Sequence, residues 1–360
     1  MTQSPFHPIG KCLEGGTVFL LKRVRARLTT QAAGLCTRVL AVLCMCLLLG
    51  SVLTIQGTSQ AFAARAIPAV QAQAHTNWSF YMNSSSTSRA HTLGCNQGHA
   101  DATYHDNSLV ILDFGAQASN GSGAYFPGTS TFISNSQIEA VAEAFSTSYY
   151  VCTGSDTTTV LSLGIGTNNS GSNVGSANGR TLAHIVSAVQ SYNQSHGSSS
   201  QVAMYGANDL ESWCDSPPGA ACRSASAAIN WANGYSSVGG SLYFNFGSAD
   251  NCPTNSYSGG SCGNTGWTQY DYWYLSWGNP AAVPTPEIYH DSWASQWEMI
   301  DLYSVYHHGG RMTFWGPMDE HDLDGSTDTA TQAWDALWNA LHTHTSTAQN
   351  LFYSIEIHRE

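Results

Sequence analysis

Beyond Ala63 the chain contains no lysine. Six arginines (Arg65, Arg89, Arg180, Arg223, Arg311 and Arg359) are the only basic residues there, against 23 Asp and Glu, a net charge near −17. A surface this acidic repels phosphate backbones and anionic lipid, so nucleic acid is excluded as an expected partner. Other absences narrow the chemistry. No CxxC pair is present, which argues against a zinc cluster. No GxGxxG opens a helix, which argues against a dinucleotide fold. The acidic stretch "MDEHDLDGSTD" (318–328) lacks the spacing and terminal Glu of a calcium loop and reads as a solvated loop capping the next helix. "GGSCG" (259–263) matches GxSxG but lies in a glycine-rich loop, where a nucleophile elbow cannot form. Neither a cofactor nor a metal is expected, and no protein partner can be read.

Residues 1–63 read as an export signal. The basic residues Lys22, Arg23, Arg25, Arg27 and Arg38 precede the apolar run "VLAVLCMCLLLGSVLTI", and Ala61 and Ala63 give a small-x-small cleavage pattern. Ala72-Gln73-Ala74 offers a second site, and an uncleaved anchor is the alternative. The expected location is therefore secreted or extracellular. Residues 64–92, rich in Ala, Ser and Gln, read as a linker or N-terminal arm, with a single domain over 93–360. Six cysteines follow the leader: Cys95, Cys152, Cys214, Cys222, Cys252 and Cys262. In an exported chain they imply disulfides. Cys214–Cys222 and Cys252–Cys262 each close a short Pro/Gly-rich loop, which leaves Cys95–Cys152, although other connectivities stay open.

Short runs rich in Val, Ile, Tyr and Phe alternate with helical spacing. The expected strands are "SLVILDFG" (108–115), "TTVLSLGIG" (158–166), "QVAMYGAND" (201–209), "SLYFNFG" (241–247), "DYWYLSWG" (271–278), "PEIYH" (286–290), "RMTFWGPM" (311–318) and "NLFYSIEI" (350–357). Helices are expected in "SQIEAVAEAFSTSY", with Ser136 and Glu139 at capping-box spacing, and in "GRTLAHIVSAVQSY", "SASAAINWANGY" and "TATQAWDALWNALH". Runs this continuous suit strands covered on both faces. Alternation with helices predicts an α/β fold, a (β/α)8 TIM-like barrel with one missing or distorted helix and disulfide-stapled loops. A doubly wound open sheet is the alternative.

In such a barrel the functional face is the C-terminal end of the strands. Asp113, Asn208, Asp209, Glu211, Asp250, Asn279, Glu287 and His290 are expected there. Residues two apart on a strand share a face, so Asp209 and Glu211 should both enter the mouth, with Ala207 and Tyr205 beneath. At a rise of about 3.3 Å per residue their Cα atoms would lie roughly 6.5 Å apart. Like charges that close push one carboxyl pKa up, and a protonated carboxyl beside an ionised one suits glycosidic bond cleavage. The structural reading is that Glu211 caps the next segment while Asp209 holds loop amides or Arg223. Between Trp267 and Trp315 there are 13 aromatics in 49 residues. Flat rings suit sugar faces, and Trp213 and Trp277 are the expected cleft-lining ones.

From about Leu93 to Glu356 the chain resembles an uncharacterised family of secreted bacterial proteins, through "SLVILDFG", "LGIGTNNSG", "YGANDLESW", "WTQYDYWYLSWG", "PEIYH" and "QAWDALWNAL". More distantly it is similar to glycoside hydrolase family 25 lysozyme-like β/α barrels, through Asp113, the Asp209-x-Glu211 pair and "SQWEMIDLYS" (295–304). That resemblance implies Glu211 as general acid, Asp209 and Asp113 as orienting or charge-stabilising groups, and Gln296 as a substrate contact. "QWEM" stands where those enzymes carry W-Q-Y. The expected function is a glycoside hydrolase-like protein engaging a polysaccharide or cell-wall glycan, with peptidoglycan among the substrates. Asn208, Trp213, Trp277, Asp250 and Glu287 would join Gln296 in binding it. A non-catalytic secreted carbohydrate-binding or envelope-associated protein is the alternative.

Overall fold

The computed structural model describes residues 75–168, 175–212, 223–320, 326 and 328–360. Its strands in chain order are β1 (Thr76–Tyr81), β2 (Ser108–Gln117), β3 (Gly123–Tyr125), β4 (Phe132–Ser134), β5 (Leu161–Asn168) and β6 (Val202–Asp209), then β7 (Tyr243–Asn245), β8 (Ala282–Pro284), β9 (Met318–Asp319) and β10 (Ser354–Arg359). β3 and β4 form an antiparallel flap on the end of β2. The other eight are parallel and neighbour one another in the order β8-β7-β6-β5-β2-β1-β10-β9. One isolated parallel bridge, Glu287 to Met318, joins the two ends of that path. Ile288 N donates to Met318 O and Met318 N to Pro286 O, each at 2.9 Å. The ring is thus a (β/α)8 barrel, as the sequence predicts.

Seven helices cover it: α1 (Thr87–Tyr104), α2 (Asn135–Cys152), α3 (Ser176–His196), α4 (Ala225–Val238), α5 (Gln269–Trp273), α6 (Asp291–His308) and α7 (Ala330–Leu341). Every crossover between successive parallel strands carries one of them. The distorted member is α5, five residues long and continued by a π-helical turn at Tyr274–Gly278.

Strand alternation explains the continuous apolar runs. On β2, Leu109 and Ile111 fill the barrel interior, while Val110 and Leu112 join the layer beneath the helices. Tyr205, Phe244, Trp315 and Tyr353 pack ring against ring inside the barrel. At the crossing of α3 with α4, a Cβ on Gly179 would lie 2.0 Å from Trp231 O. Gly179→Ala is therefore expected to cost about 1–3 kcal/mol or more by overpacking, although Ala for Gly in a free helix gains about 1 kcal/mol. A thermal melt of this variant checks the sign, and an unchanged or raised midpoint would contradict the close crossing.

Several expectations are corrected. The expected strands 286–290 and 311–318 give way to β8 at Ala282–Pro284 and β9 at Met318–Asp319, where only three and two residues complete the ladder. Residues 64–92 are not only a linker, because 76–81 form β1 and α1 begins at Thr87. The inner face of β1 is polar: Asn77 Oδ1 and Ser79 Oγ accept from Leu109 N (3.0 Å) and Ile111 N (2.8 Å). "DYWYLSWG" is helical, since its buried residues Tyr272, Leu275 and Ser276 recur at helical spacing. The capping box of α2 is Ser134 with Gln137, two residues ahead of the expected pair. Finally, α7 is capped by Thr329 with Gln332 rather than by the acidic loop before it. Two expected disulfides are present, Cys95–Cys152 and Cys252–Cys262. Cys214–Cys222 lies outside the described residues, as do the leader and Trp213. Among the described residues no helix is long and apolar enough to cross a membrane.

Candidate active site at the barrel mouth

The carboxylates gather where the parallel strands end. Asp113 closes the parallel part of β2, and a register shift follows it between Asp113 and Ala116. Gly115 makes that turn possible: its φ is +77°, and a Cβ there would strike Tyr125 O at 2.3 Å. Gly115 N donates to Asp113 Oδ1 at 3.1 Å. Asp209 ends β6 on the inner face shared with Ala207. Gly247 leaves room beside it, for a Cβ there would sit 2.8 Å from Asp209 Oδ1. Glu211 follows two residues on, held from the β7–α5 loop, where Ser248 N (3.2 Å) and Ser248 Oγ (2.5 Å) both donate to its Oε2. The Cys252–Cys262 disulfide staples that loop.

Glu287 is placed by the seam of the barrel, since its own backbone makes the closing bridge. Glu320 follows β9, two residues beyond the inward Met318, and its Oε2 accepts from Tyr289 Oη at 2.8 Å. One carboxylate oxygen each from Asp209, Glu211 and Glu287 lie within 4.8 Å of one another. Asp209 and Glu211 keep partial solvent contact, whereas Asp113, Glu287 and Glu320 are buried.

Burial and mutual repulsion dominate the electrostatics. Burial pushes Asp113 up to about 7 against the one donor, Gly115. Asp209 is pushed well above the usual carboxylate range by burial and then by Glu211, Asp113 and Glu320. Glu287 is raised in the same way, by burial and then by Asp209, Glu211 and Glu320. Among the described residues, no cation is one of the charges acting on these three groups. Tyr81 and Tyr289 are also raised, first by burial and next by Glu287, so both phenols stay protonated, Tyr289 with its proton directed to Glu320.

The structure brings Asp113, Asp209, Glu211 and Glu287 to the mouth and adds Glu320, Tyr81 and Tyr289, which sequence reasoning misses. Other expected site residues fall elsewhere. Asn208 alternates with the inward Ala207 and Asp209, so it faces the helix layer, fully buried. Trp277 lies on the π-helical turn ahead of β8, at the N-terminal end of the strands, and packs on the helix-side core. Asn279 belongs to the same entry turn, where its Oδ1 accepts from Ala281 N. Gln296 is buried on α6 rather than at a strand end. Asp250 is half-buried in the stapled β7–α5 loop; burial raises it, while Asn251 N–H and His290 pull it down.

No protein-family model and no curated protein matches the chain. Among solved structures it is similar to the homocysteine methyltransferase MmuM from Escherichia coli, at 11% identity and TM-score 0.40, over 80% of this chain and 91% of that one. It is also similar to a sugar phosphate isomerase/epimerase from Parabacteroides distasonis, at 10% identity and TM-score 0.35, over 82% and 91%. Likeness at this level says nothing about chemistry.

Proposed function

We propose that the chain is an exported protein whose barrel mouth engages a polysaccharide and cleaves it by carboxylate acid/base chemistry. The observation that carries this reading is the convergence of Asp209, Glu211 and Glu287 within 4.8 Å. Retaining glycosidases hold their two carboxyl groups about 5–5.5 Å apart, and inverting ones about 6.5–9.5 Å to admit a water. Oxygens within 4.8 Å of one another stand nearer to the retaining spacing than to the inverting one, which favours the retaining route.

Roles follow from surroundings. Glu287, buried among carboxylates that favour its protonated form, is the group placed to deliver a proton to a glycosidic oxygen. Glu211 has solvent contact and one oxygen occupied by two Ser248 donors, which suits the acceptor and nucleophile. This assignment moves the acid role implied by family resemblance from Glu211 to Glu287. Tyr81 can donate to a sugar hydroxyl, while Tyr289, whose hydroxyl proton goes to Glu320, can accept from one. The two disulfides support export to an oxidising compartment.

The test is release of reducing ends from peptidoglycan, chitin and plant polysaccharides by the metal-stripped protein. Glu287→Gln and Glu211→Gln are each expected to slow release by about 100-fold or more, the usual worth of a positioned acid or nucleophile. Sugar binding retained by wild type and both variants, without release from any glycan, would transfer the assignment to the non-catalytic binding protein.

A further inference from the structure

We propose that the mouth also binds a hard divalent cation, of the calcium, magnesium or manganese kind, through Asp209, Glu211 and Glu287. The proposal uses the same site as the glycan reading but does not depend on turnover.

Three observations carry it. The first is geometric: three carboxylate oxygens, two from the end of β6 and one from beyond β8, lie within 4.8 Å of one another. Oxygens around a calcium ion bound at 2.3–2.6 Å are themselves about 3–5 Å apart, so one ion can reach all three. The second is an oxygen without a partner. Asp113 is 0% exposed, stands on the inner side of β2 and acts electrostatically on Asp209, yet its Oδ2 has no hydrogen-bond donor. Asp209 Oδ1 is likewise buried and without a donor. Buried oxygens of this kind are normally satisfied, and a cation satisfies several at once. The third is chemical type: the three groups are oxygen donors without His or Cys among them, which selects hard cations over zinc or copper.

The surrounding contacts resemble an orienting outer shell. Ser248 fixes Glu211, the seam of the barrel fixes Glu287, and Gly247 gives Asp209 its place. Cation and protons are alternative ways of discharging the same repulsion, so loading the site should expel protons.

The experiment is titration of the EDTA-stripped full chain with Mn2+, followed by calorimetry and by the spin-resonance signal of free Mn2+, with Ca2+ and Mg2+ as competitors. One equivalent is expected to bind with Kd on the order of micromolar. Asp209→Asn and Glu287→Gln should each weaken it about tenfold or more, while Asp301→Asn, a buried carboxylate away from the mouth, should leave it unchanged. A melting curve for each variant confirms that it is folded. Absence of binding at millimolar Mn2+ overturns the proposal. So does binding that ignores the mouth substitutions or is abolished by Asp319→Asn instead. Glycan release by a stripped protein that binds no Mn2+ overturns the cation alone; Mn2+ binding without glycan release overturns the hydrolase reading alone.

Discussion

The folded protein is expected to lose stability steadily as pH rises from about 4 to about 8, the reverse of ordinary acid denaturation. Two buried carboxyls far from the mouth, Asp101 and Asp301, add to this slope beside the raised Asp113, Asp209 and Glu287 of the mouth. Asp101 receives Gln97 Nε2 (2.7 Å), Ser108 Oγ (2.6 Å) and Tyr149 Oη (2.7 Å), yet burial outweighs these donors and raises it to about 6. Asp301 is raised to about 8 by burial, against Met312 N at 2.5 Å and the Arg311 charge. In the unfolded chain an Asp ionises near 4. Below that pH both states hold the proton and the contribution is fully present. Above it the unfolded chain releases the proton while the fold retains it, so unfolding gains ground until the folded group ionises. The loss is complete past about 6 for Asp101 and past about 8 for Asp301. A tenfold change in proton affinity is worth about 1.4 kcal/mol, so the two together amount to several kcal/mol in order of magnitude. Asp156 runs the other way, held at about 2 by the Thr158 N–H and hydroxyl, and matters only in strong acid. Urea midpoints between pH 4.5 and 8.5 measure the slope. Asp301→Asn keeps an oxygen for Met312 N and should flatten the upper half of it. A profile that is flat, rises with pH, or ignores this substitution would contradict the assignment.

Removing Cys95–Cys152 is expected to cost about 4 kcal/mol. The bond ties α1 to α2 across 57 residues, and chain-entropy estimates for a loop of that length give roughly this value. The helices it joins are already in close contact. A Cβ on Gly94 would lie 2.3 Å from Phe145 O, and one on Gly98 would lie 2.5 Å from Tyr149 O. The crosslink therefore reinforces a tight helix pair. Cys252–Cys262 closes only 10 residues, for which the same estimate is about 3 kcal/mol. The β7–α5 segment that it staples also carries Ser248, four residues ahead of Cys252, so its loss should disturb the mouth more than the fold. Denaturation of the Cys95→Ser/Cys152→Ser double variant checks the larger effect, and an unchanged midpoint would contradict it.

What could be read in advance follows from where apolar side chains had to go. β2 and β5 are covered on both faces and announce themselves as unbroken runs. β1 escaped because its pattern is inverted: Trp78 is exposed while Asn77 and Ser79 point inward to serve neighbouring backbone N–H groups. The aromatics of "DYWYLSWG" fit alternation as well as helical spacing, and the deciding signal, the Thr268–Asp271 capping box, was there to be read. A missed first strand and a false fifth one cancelled, while the expected sixth and seventh strands (286–290 and 311–318) fall beside rather than on β8 and most of β9, so eight survived as a number and not strand by strand. In the mouth, Asp113, Asp209, Glu211 and Glu287 were legible from their places at or beyond strand ends. Glu320 was not, since β9 is two residues long and the acidic run after it looks like a solvated loop. Its position two residues past the inward Met318 was the available clue. The proposed assignment of the proton to Glu287 rather than Glu211 rests on burial and on Ser248, which no local pattern encodes.

The central claim is that the carboxylates at the C-terminal mouth of the barrel are the place where a glycan is engaged. The most direct test is a crystal structure of the protein soaked with short oligosaccharides of chitin, peptidoglycan and plant glucan type. Sugar density over Asp209, Glu211 and Glu287, with hydroxyls within hydrogen-bond reach of Tyr81 or Tyr289, is the predicted result. Sugar bound elsewhere on the molecule, or an empty mouth at saturating concentrations of every fragment, would contradict it.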